Sequence, residues 1–351
     1  MNYRTLNVPG TLTLTNALVF CREIAALPDD VTILGLNFDA WKRSRPADLP
    51  LTPFGMLIIG VAVQQFHKRV PSAQIIPAIA LPNNELESYA AHMGFFKACT
   101  IDLGKEPGQA KGSPTYLPIT KIENPSLLHG SDIEQRSLDL AQKLTQRQDG
   151  ALVKTLQYSF TEIIRNVAEH ARSEDYWLCA QYWPSRGEAE IALIDSGQGL
   201  RASLLNNPLI RDQVVDDRAA IKFALMPGIS GSMWKGKPQR DDDVWQNSGF
   251  GLYMNYRICT EGGSFFIASG DSSVHCEKGS EHQWLGYHLP GVALRLRMRI
   301  ETLENYDQQF HPIFLADGER EAKRIAGGVI PTGDRMSRML RTGFASNRED
   351  Q

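Results

Sequence analysis

Apolar and polar positions along the first hundred residues switch between the spacing of strands and that of helices. The predicted elements are strands over residues 31–38 and 73–80 and helices over residues 51–69 and 83–95. Thr52 is the expected N-cap of the first helix, with Pro53 in its first turn. Pro77 lacks a backbone donor, so the second strand is expected at a sheet edge. This order predicts a small α/β unit with right-handed crossovers.

After residue 130 the pattern changes to two amphipathic helices followed by strands. The helices are expected over residues 131–148 and 154–171, and the strands over residues 176–182, 190–194, 263–269 and 292–300. Residues 105–125 are rich in Gly, Pro and Lys, which predicts a linker or long loop. The expected division is an α/β domain over 1–105, a linker over 106–130, a second domain over 131–300 and a C-terminal extension over 301–351.

Composition narrows the class of protein. The 351 residues are 42% hydrophobic and 22% charged with a net charge of −3, so neither a nucleic acid nor a membrane surface is an expected partner. No apolar run is long enough to span a bilayer, and the N-terminus lacks the plan of a signal peptide. The five cysteines are scattered and form no CxxC pair, which favours a reducing cytoplasm.

A carboxylate and an amide share one face of the helix expected over residues 154–171. Glu162 and Asn166 are four residues apart, hence one turn apart on that face. An amide oxygen together with phosphate oxygens is a sufficient shell for Mg²⁺. A nearby carboxylate could orient a water or hydroxyl toward a γ-phosphorus. For an isolated pair, a solvated helix face is the alternative.

An apolar strand ends in Asp195, and Gly197 and Gly199 follow it. A carboxylate at the end of a buried strand needs a donor, either the exocyclic amine of adenine or a backbone N–H in a turn. The two glycines permit a positive φ and the close approach of a ring or a phosphate. The pattern alone leaves both donors open.

The segment NSGFGL, residues 247–252, precedes a further predicted helix. Gly249 and Gly251 would let backbone N–H groups point at an anion, with Ser248 and Leu252 in the same segment. A simple N-terminal turn is the alternative. The segment is not a Walker A loop, because GxxxxGK[ST] is absent.

These three motifs, in this order, resemble the ATP-binding domains of the GHKL superfamily over residues 131–300. The resemblance implies a Bergerat-type α/β sandwich, in which helices cover one face of a mixed, mostly antiparallel sheet. It implies that Asn166 holds Mg²⁺, that Asp195 binds the adenine amine and that residues 200–248 form a mobile lid over ATP. The remaining motif residues would shape the adenine and phosphate pockets: Gly197, Gly199, Ser248, Gly249, Gly251 and Leu252.

Glu162 decides which branch of the superfamily the chain resembles. Sensor histidine kinases usually have Asn there, and His129 lacks the acidic neighbour and proline of their phosphoacceptor. The sequence NVAEHA, residues 166–171, looks like the anti-sigma-factor serine kinases, and hydrolysing ATPases of the superfamily also carry Glu at this position. His170 is interpreted as a helix-end histidine that packs against its neighbours.

Three functions therefore stay open. The first is a slow ATPase, with Glu162 orienting water, that acts as a switch on a regulatory protein partner. The second is a Ser/Thr protein kinase, and the third is an ATP-sensing scaffold without turnover. By analogy with the superfamily, we expect a homodimer.

The N-terminal unit is similar in layout to STAS-type domains, with Met93-Gly94-Phe95 at their apolar-Gly-apolar position. In such domains a Ser or Thr at a helix start can accept phosphate from a GHKL kinase. Thr52 stands at that place, which makes it a possible phosphoacceptor. A helix N-cap is the alternative role for its hydroxyl.

Overall fold

The computed structural model describes residues 2–42, 51–104, 115–123, 130–231, 249–280, 282–286, 289–299, 301 and 311–325. The strands are β1 (Tyr3–Asn7), β2 (Ile33–Asn37), β3 (Gln74–Pro77), β4 (Tyr116–Glu123), β5 (Asp175–Trp183), β6 (Glu188–Asp195), β7 (Ser264–Ser269), β8 (Ser272–Glu277), β9 (Gln283–Gly286) and β10 (Val292–Arg299). The helices are α1 (Leu14–Ala25), α2 (Pro53–Arg69), α3 (Glu85–His92), α4 (Phe95–Ala98), α5 (Gly130–Thr145), α6 (Ala151–Asn166), α7 (Gly199–Leu204), α8 (Asp217–Ala224), α9 (Gly251–Gly262) and α10 (His311–Ile325). The expected α/β class is confirmed.

The strands form two sheets of opposite character. A three-stranded sheet has the order β1-β2-β3 with parallel pairings. A seven-stranded sheet has the order β4-β5-β6-β10-β7-β8-β9, and every pairing described within it is antiparallel. The expectation of a mostly antiparallel sheet is thus confirmed.

The start of α2 follows from its local sequence. Thr52 is the N-cap, and its Oγ1 accepts a hydrogen bond from the backbone N–H of Gly55 at 3.0 Å. Pro53 occupies the first helical position, where its missing N–H costs nothing. β3, which contains Pro77, lies at the edge of the smaller sheet. These expectations are confirmed.

The expectation that residues 106–130 form a linker is wrong for its central part. Residues 116–123 form β4, which pairs with β5 at the edge of the larger sheet. Leu117 and Ile122 are buried, and the register shifts between Leu117 and Thr120. That irregularity falls at Pro118 and breaks the alternation by which a strand is recognised. Residues 105–114 and 124–129 lie outside the described residues.

Both faces of the larger sheet are apolar, so both need cover. In β6, Ile191 and Leu193 belong to one core cluster, whereas Ala192 and Ile194 belong to another. Helices α5, α6 and α9 pack on the first face, and α2 packs on the second, against β5 and β6. The expectation of helices on one face is therefore incomplete.

Helix α2 joins the N-terminal unit to the larger sheet. Every residue from Pro53 to Val63 is buried, as is Phe66, so the helix is enclosed on all sides. One core cluster contains residues of the N-terminal unit together with Ala192 and Phe266 of the larger sheet. The units predicted as separate domains thus share a hydrophobic core.

All five cysteines are buried free thiols. Within the described ranges, none of the helices combines the length and the apolar character required to cross a bilayer.

Candidate functional site

Helix α6 carries the predicted acid and amide. Glu162 and Asn166 are four residues apart in continuous α-helix, as the sequence predicts. The chain then makes one turn of π-helix over Val167–Ala171, a feature that often marks functional sites. Asn166 and His170, four residues apart, both line the same pocket.

Asp195 ends β6 and points toward this pocket. It is only 3% exposed, and its Oδ1 accepts a hydrogen bond from the backbone N–H of Gly197 at 2.8 Å. Burial raises the pKa of this carboxyl to about 6, against the lowering by backbone hydrogen bonds from Gly197 and Val292. The Asp195 carboxyl is therefore a buried hydrogen-bond acceptor whose pKa lies close to neutral pH.

The loop after Asp195 is tied to the end of the π-helical turn. The backbone N–H of Gln198 donates to the carbonyl of Ala171 at 2.7 Å, and its side-chain amide donates to the carbonyl of His170 at 2.6 Å. A Cβ on Gly197 would lie 2.0 Å from the Ala171 carbonyl, so only glycine permits this approach. These bonds hold the first two motifs together.

The third motif is described from Gly249 onward, and Ser248 lies outside the described residues. Gly249 has a φ of +71°, a region that favours glycine. Gly251 begins α9, and a Cβ there would lie 1.7 Å from Oε2 of Glu162. The N-terminus of α9 thus lies directly against α6.

One pocket unites the three motifs. Its floor contains the sheet residues Leu193, Ile267 and Leu294, and its space amounts to about 820 Å³ including its open mouth. Six of the predicted site residues line it: Asn166, Asp195, Gly199, Gly249, Gly251 and Leu252.

The described part of the predicted lid lies over this pocket. Residues 199–231, which we call the pocket cover, contain α7 and α8 and contribute Ser203, Leu204 and Ile229 to the pocket. The pocket cover also has a small apolar core of its own. Residues 232–248 lie outside the described residues.

Glu162 and Gly197 lie behind the pocket wall. Glu162 is 4% exposed, and its Oε1 is 3.6 Å from Nη1 of Arg165. Nε of Arg165 is in turn 3.1 Å from Oε1 of Glu169. The carboxylate predicted to orient water is thus a buried partner of an arginine.

Thr52 lies on the opposite face of the larger sheet. Its hydroxyl donates to the carbonyl of Leu12 at 2.7 Å and accepts from Gly55. The second helical residue, Phe54, contacts Glu190 and Phe266, which face away from the pocket. The structure does not bring Thr52 together with the other predicted site residues.

Some lining residues were missed by sequence reasoning. His170 was interpreted as a helix-end residue that packs against its neighbours, but it lines the pocket from the π-helical turn. Ser203 and Ser230 come from the pocket cover, whose helices the sequence analysis did not resolve. The four-residue spacing from Asn166 to His170 was the one sequence signal that could have indicated that His170 lines the pocket.

Comparisons with protein-family models, with curated proteins and with solved structures found no match for this chain.

Proposed function

We propose that the chain binds Mg-ATP in this pocket and acts as a nucleotide-dependent switch on a protein partner. The observation that carries the proposal is that one pocket joins Asn166, Asp195 and the segment Gly249–Leu252, which are widely separated in sequence. That residues of all three motifs line one pocket supports a common ligand for them. The ligand remains a proposal that rests on this convergence.

Asp195 supports an adenine ligand. A hydrogen-bond donor stabilises the ionised form of a buried carboxylate whose pKa is raised by burial. The exocyclic amine of adenine supplies such a donor. The apolar floor of Leu193, Ile267 and Leu294 suits the face of a ring.

The start of α9 supports the binding of phosphates. Gly249 and Gly251 both line the pocket beside the first turn of α9, where the backbone N–H groups at the start of a helix favour an anion. No three His, Cys, Asp or Glu side chains of the described residues group as a metal site. Mg²⁺ would therefore rely on Asn166 and phosphate oxygens, and when bound it would neutralise phosphate charge.

The pocket cover supports the switch. Its own small core allows it to move as a unit. The guanidinium carbon of Arg218 on α8 lies 4.3 Å from the centroid of the Trp284 ring on β9, which is a contact between the pocket cover and the larger sheet. Its outer surface exposes Leu205, Leu209 and Val215, which a protein partner could cover. A homodimer remains part of the proposal by analogy alone.

The contact between Glu162 and Arg165 bears on turnover. To orient water, the Glu162 carboxylate has to leave its arginine, which favours slow hydrolysis. The same contact also favours the scaffold alternative, which senses ATP without turnover. For the kinase alternative, an acceptor at Thr52 has to belong to another molecule, because the larger sheet separates Thr52 from the pocket.

The test is nucleotide binding and turnover in matched variants. Calorimetry with ATP and Mg²⁺ should detect binding to the wild type, at least tenfold weaker binding to Asp195→Asn and unchanged binding to Asp212→Asn, whose side chain is 92% exposed. With γ-labelled ATP, phosphate release that Glu162→Gln abolishes supports the ATPase, and label on protein supports the kinase. Binding with neither supports the scaffold. Absence of binding by the wild type would refute the proposal.

A further inference from the structure

The C-terminal helix α10 contacts the pocket cover and the start of α9. At Gly318, a Cβ would lie 2.8 Å from Cε1 of Tyr253, 3.0 Å from Cε1 of Phe250 and 3.4 Å from Cβ of Pro227. Pro227 belongs to the pocket cover, whereas Phe250 stands between the lining residues Gly249 and Gly251. The backbone of α10 thus touches the segments before and after residues 232–248.

Side-chain contacts fix α10 to α9 independently of the pocket cover. The Tyr253 hydroxyl donates to the carbonyl of Phe314 at 3.3 Å. The Arg257 guanidinium carbon lies 4.2 Å from the centroid of the Phe314 ring, and Nη2 lies 3.8 Å from Oδ2 of Asp317. Phe314 is 2% exposed, so α10 is anchored by a buried aromatic side chain.

The two segments touched by α10 are also bonded to each other. The backbone N–H of Gly228 donates to the carbonyl of Gly249 at 3.1 Å. A motion that carries Pro227 away from Phe250 breaks this bond and removes at least one of the two residues from its contact with Gly318. Opening of the pocket cover is therefore coupled to the seating of α10.

We propose that α10 is a latch that sets the rate at which the pocket cover opens, and hence the residence time of the ligand beneath it. The identity of that ligand rests on the proposed nucleotide function, but the opening motion is a property of the chain alone. The proposal gives the C-terminal extension a regulatory role at the same site.

The first test compares two substitutions on the same helix. Gly318→Val inserts a side chain between α10 and its contacts, whereas Ala316→Leu adds apolar volume at an exposed position of α10. Hydrogen exchange of the Gly228 amide should become at least tenfold faster in Gly318→Val and stay unchanged in Ala316→Leu. Dissociation of a fluorescent ATP analogue should accelerate in parallel.

The second test locks the latch and compares the oxidised and reduced forms of one variant, so that the steric effect of a side chain at residue 318 is the same in both. Pro227→Cys combined with Gly318→Cys places two Cβ atoms about 3.4 Å apart, just below the range of about 3.5–4.5 Å found in disulfides. Oxidation of this variant should slow both Gly228 exchange and analogue dissociation at least tenfold relative to the same variant reduced. The native cysteines are all buried, which limits competing disulfides.

The outcomes separate the latch from the nucleotide proposal. If Gly228 exchange is the same in the oxidised and reduced forms, the latch is refuted, whether or not a nucleotide binds. If exchange responds as expected but no ATP analogue binds, the latch stands and the proposed ligand is wrong. If exchange responds while analogue dissociation does not, the latch fails to control residence time and the proposal is overturned.

Discussion

The backbone N–H of Phe54 donates to Oε1 of Glu190 at 3.0 Å, inside the contact between α2 and the larger sheet. The other oxygen of Glu190 accepts from Nε of Arg295 at 3.0 Å, and Glu190 is fully buried. A carboxylate at the first turn of α2 also complements the helix dipole. One side chain therefore joins the N-terminal unit to the central strands β6 and β10.

Glu190→Gln should destabilise the protein by about 3–5 kcal/mol, because it leaves the Arg295 charge buried without its partner. Urea unfolding at neutral pH measures the loss. The matched control is Glu188→Gln on the same strand, whose partner Arg297 is 30% exposed. That substitution should cost about 1 kcal/mol or less.

Replacing both members of the buried pair tests whether they act together. Glu190→Leu combined with Arg295→Met should be more stable than the sum of the single changes implies, because no charge is left alone. The loss of the Phe54 hydrogen bond remains in the double variant. Additive losses would mean that the two side chains are not coupled.

The close contact between Gly251 and Glu162 gives a second prediction. Gly251→Ala places a Cβ 1.7 Å from Oε2 of Glu162, so the carboxylate has to leave its position beside Arg165. We expect a loss of about 1–3 kcal/mol in thermal unfolding and at least tenfold weaker ATP binding. The loss should disappear in the Glu162→Ala background, since alanine is otherwise the better helix former. A loss that persists there would contradict the contact.

The elements that the sequence predicted well are those whose periodicity and caps are local. Thr52 and Pro53 fixed the start of α2, and the spacing of Glu162 and Asn166 fixed one helix face. β4 was missed because Pro118 interrupts its alternation. The cover of the second sheet face by α2 was also missed, because continuous apolar character identifies burial but not the surface it is buried against.

The candidate site was predictable in its residues and less so in its geometry. Convergence of Asn166, Asp195 and Gly251 on one pocket followed from the order of the motifs. The i,i+3 spacing of Glu162 and Arg165 allows an ion pair. The sequence does not determine whether the two side chains pair with each other or point into solvent. His170 lies four residues after Asn166, so the spacing that places both on one helix face was present in the sequence, but the interpretation of His170 as a packing residue did not use it.

Asp195 should make stability depend on pH in a known direction. Its folded pKa of about 6 is raised above the ordinary 3.8, so its contribution is fully present below pH 3.8 and is lost as pH rises through about 6. Relative to Asp195→Asn, the wild type should lose about 2 kcal/mol between pH 4 and pH 7. Urea unfolding of both proteins across this range measures the difference, and parallel curves would contradict the burial of an ionisable group here.

ATP binding should show the opposite trend. An amine donor favours the ionised carboxylate, so the affinity of the wild type should rise with pH through about 6 and level off above it. Because nucleotide phosphates also titrate, the informative quantity is the ratio of wild-type affinity to that of Asp195→Asn. A ratio that does not change between pH 5 and pH 7.5 would argue against an amine at this carboxylate.

The hydroxyl of Thr52 should matter for stability more than for phosphoryl transfer within one chain. It accepts from Gly55 and donates to Leu12, so Thr52→Ala should cost about 1–2 kcal/mol in urea unfolding, whereas Thr52→Ser should keep most of the stability. Because the larger sheet separates Thr52 from Asp195, incubation of dilute protein with ATP and Mg²⁺ should leave residue 52 without phosphate by mass spectrometry. Phosphate whose yield rises with protein concentration would instead indicate transfer between molecules. Phosphate at a yield independent of concentration would contradict the separation of this hydroxyl from the pocket.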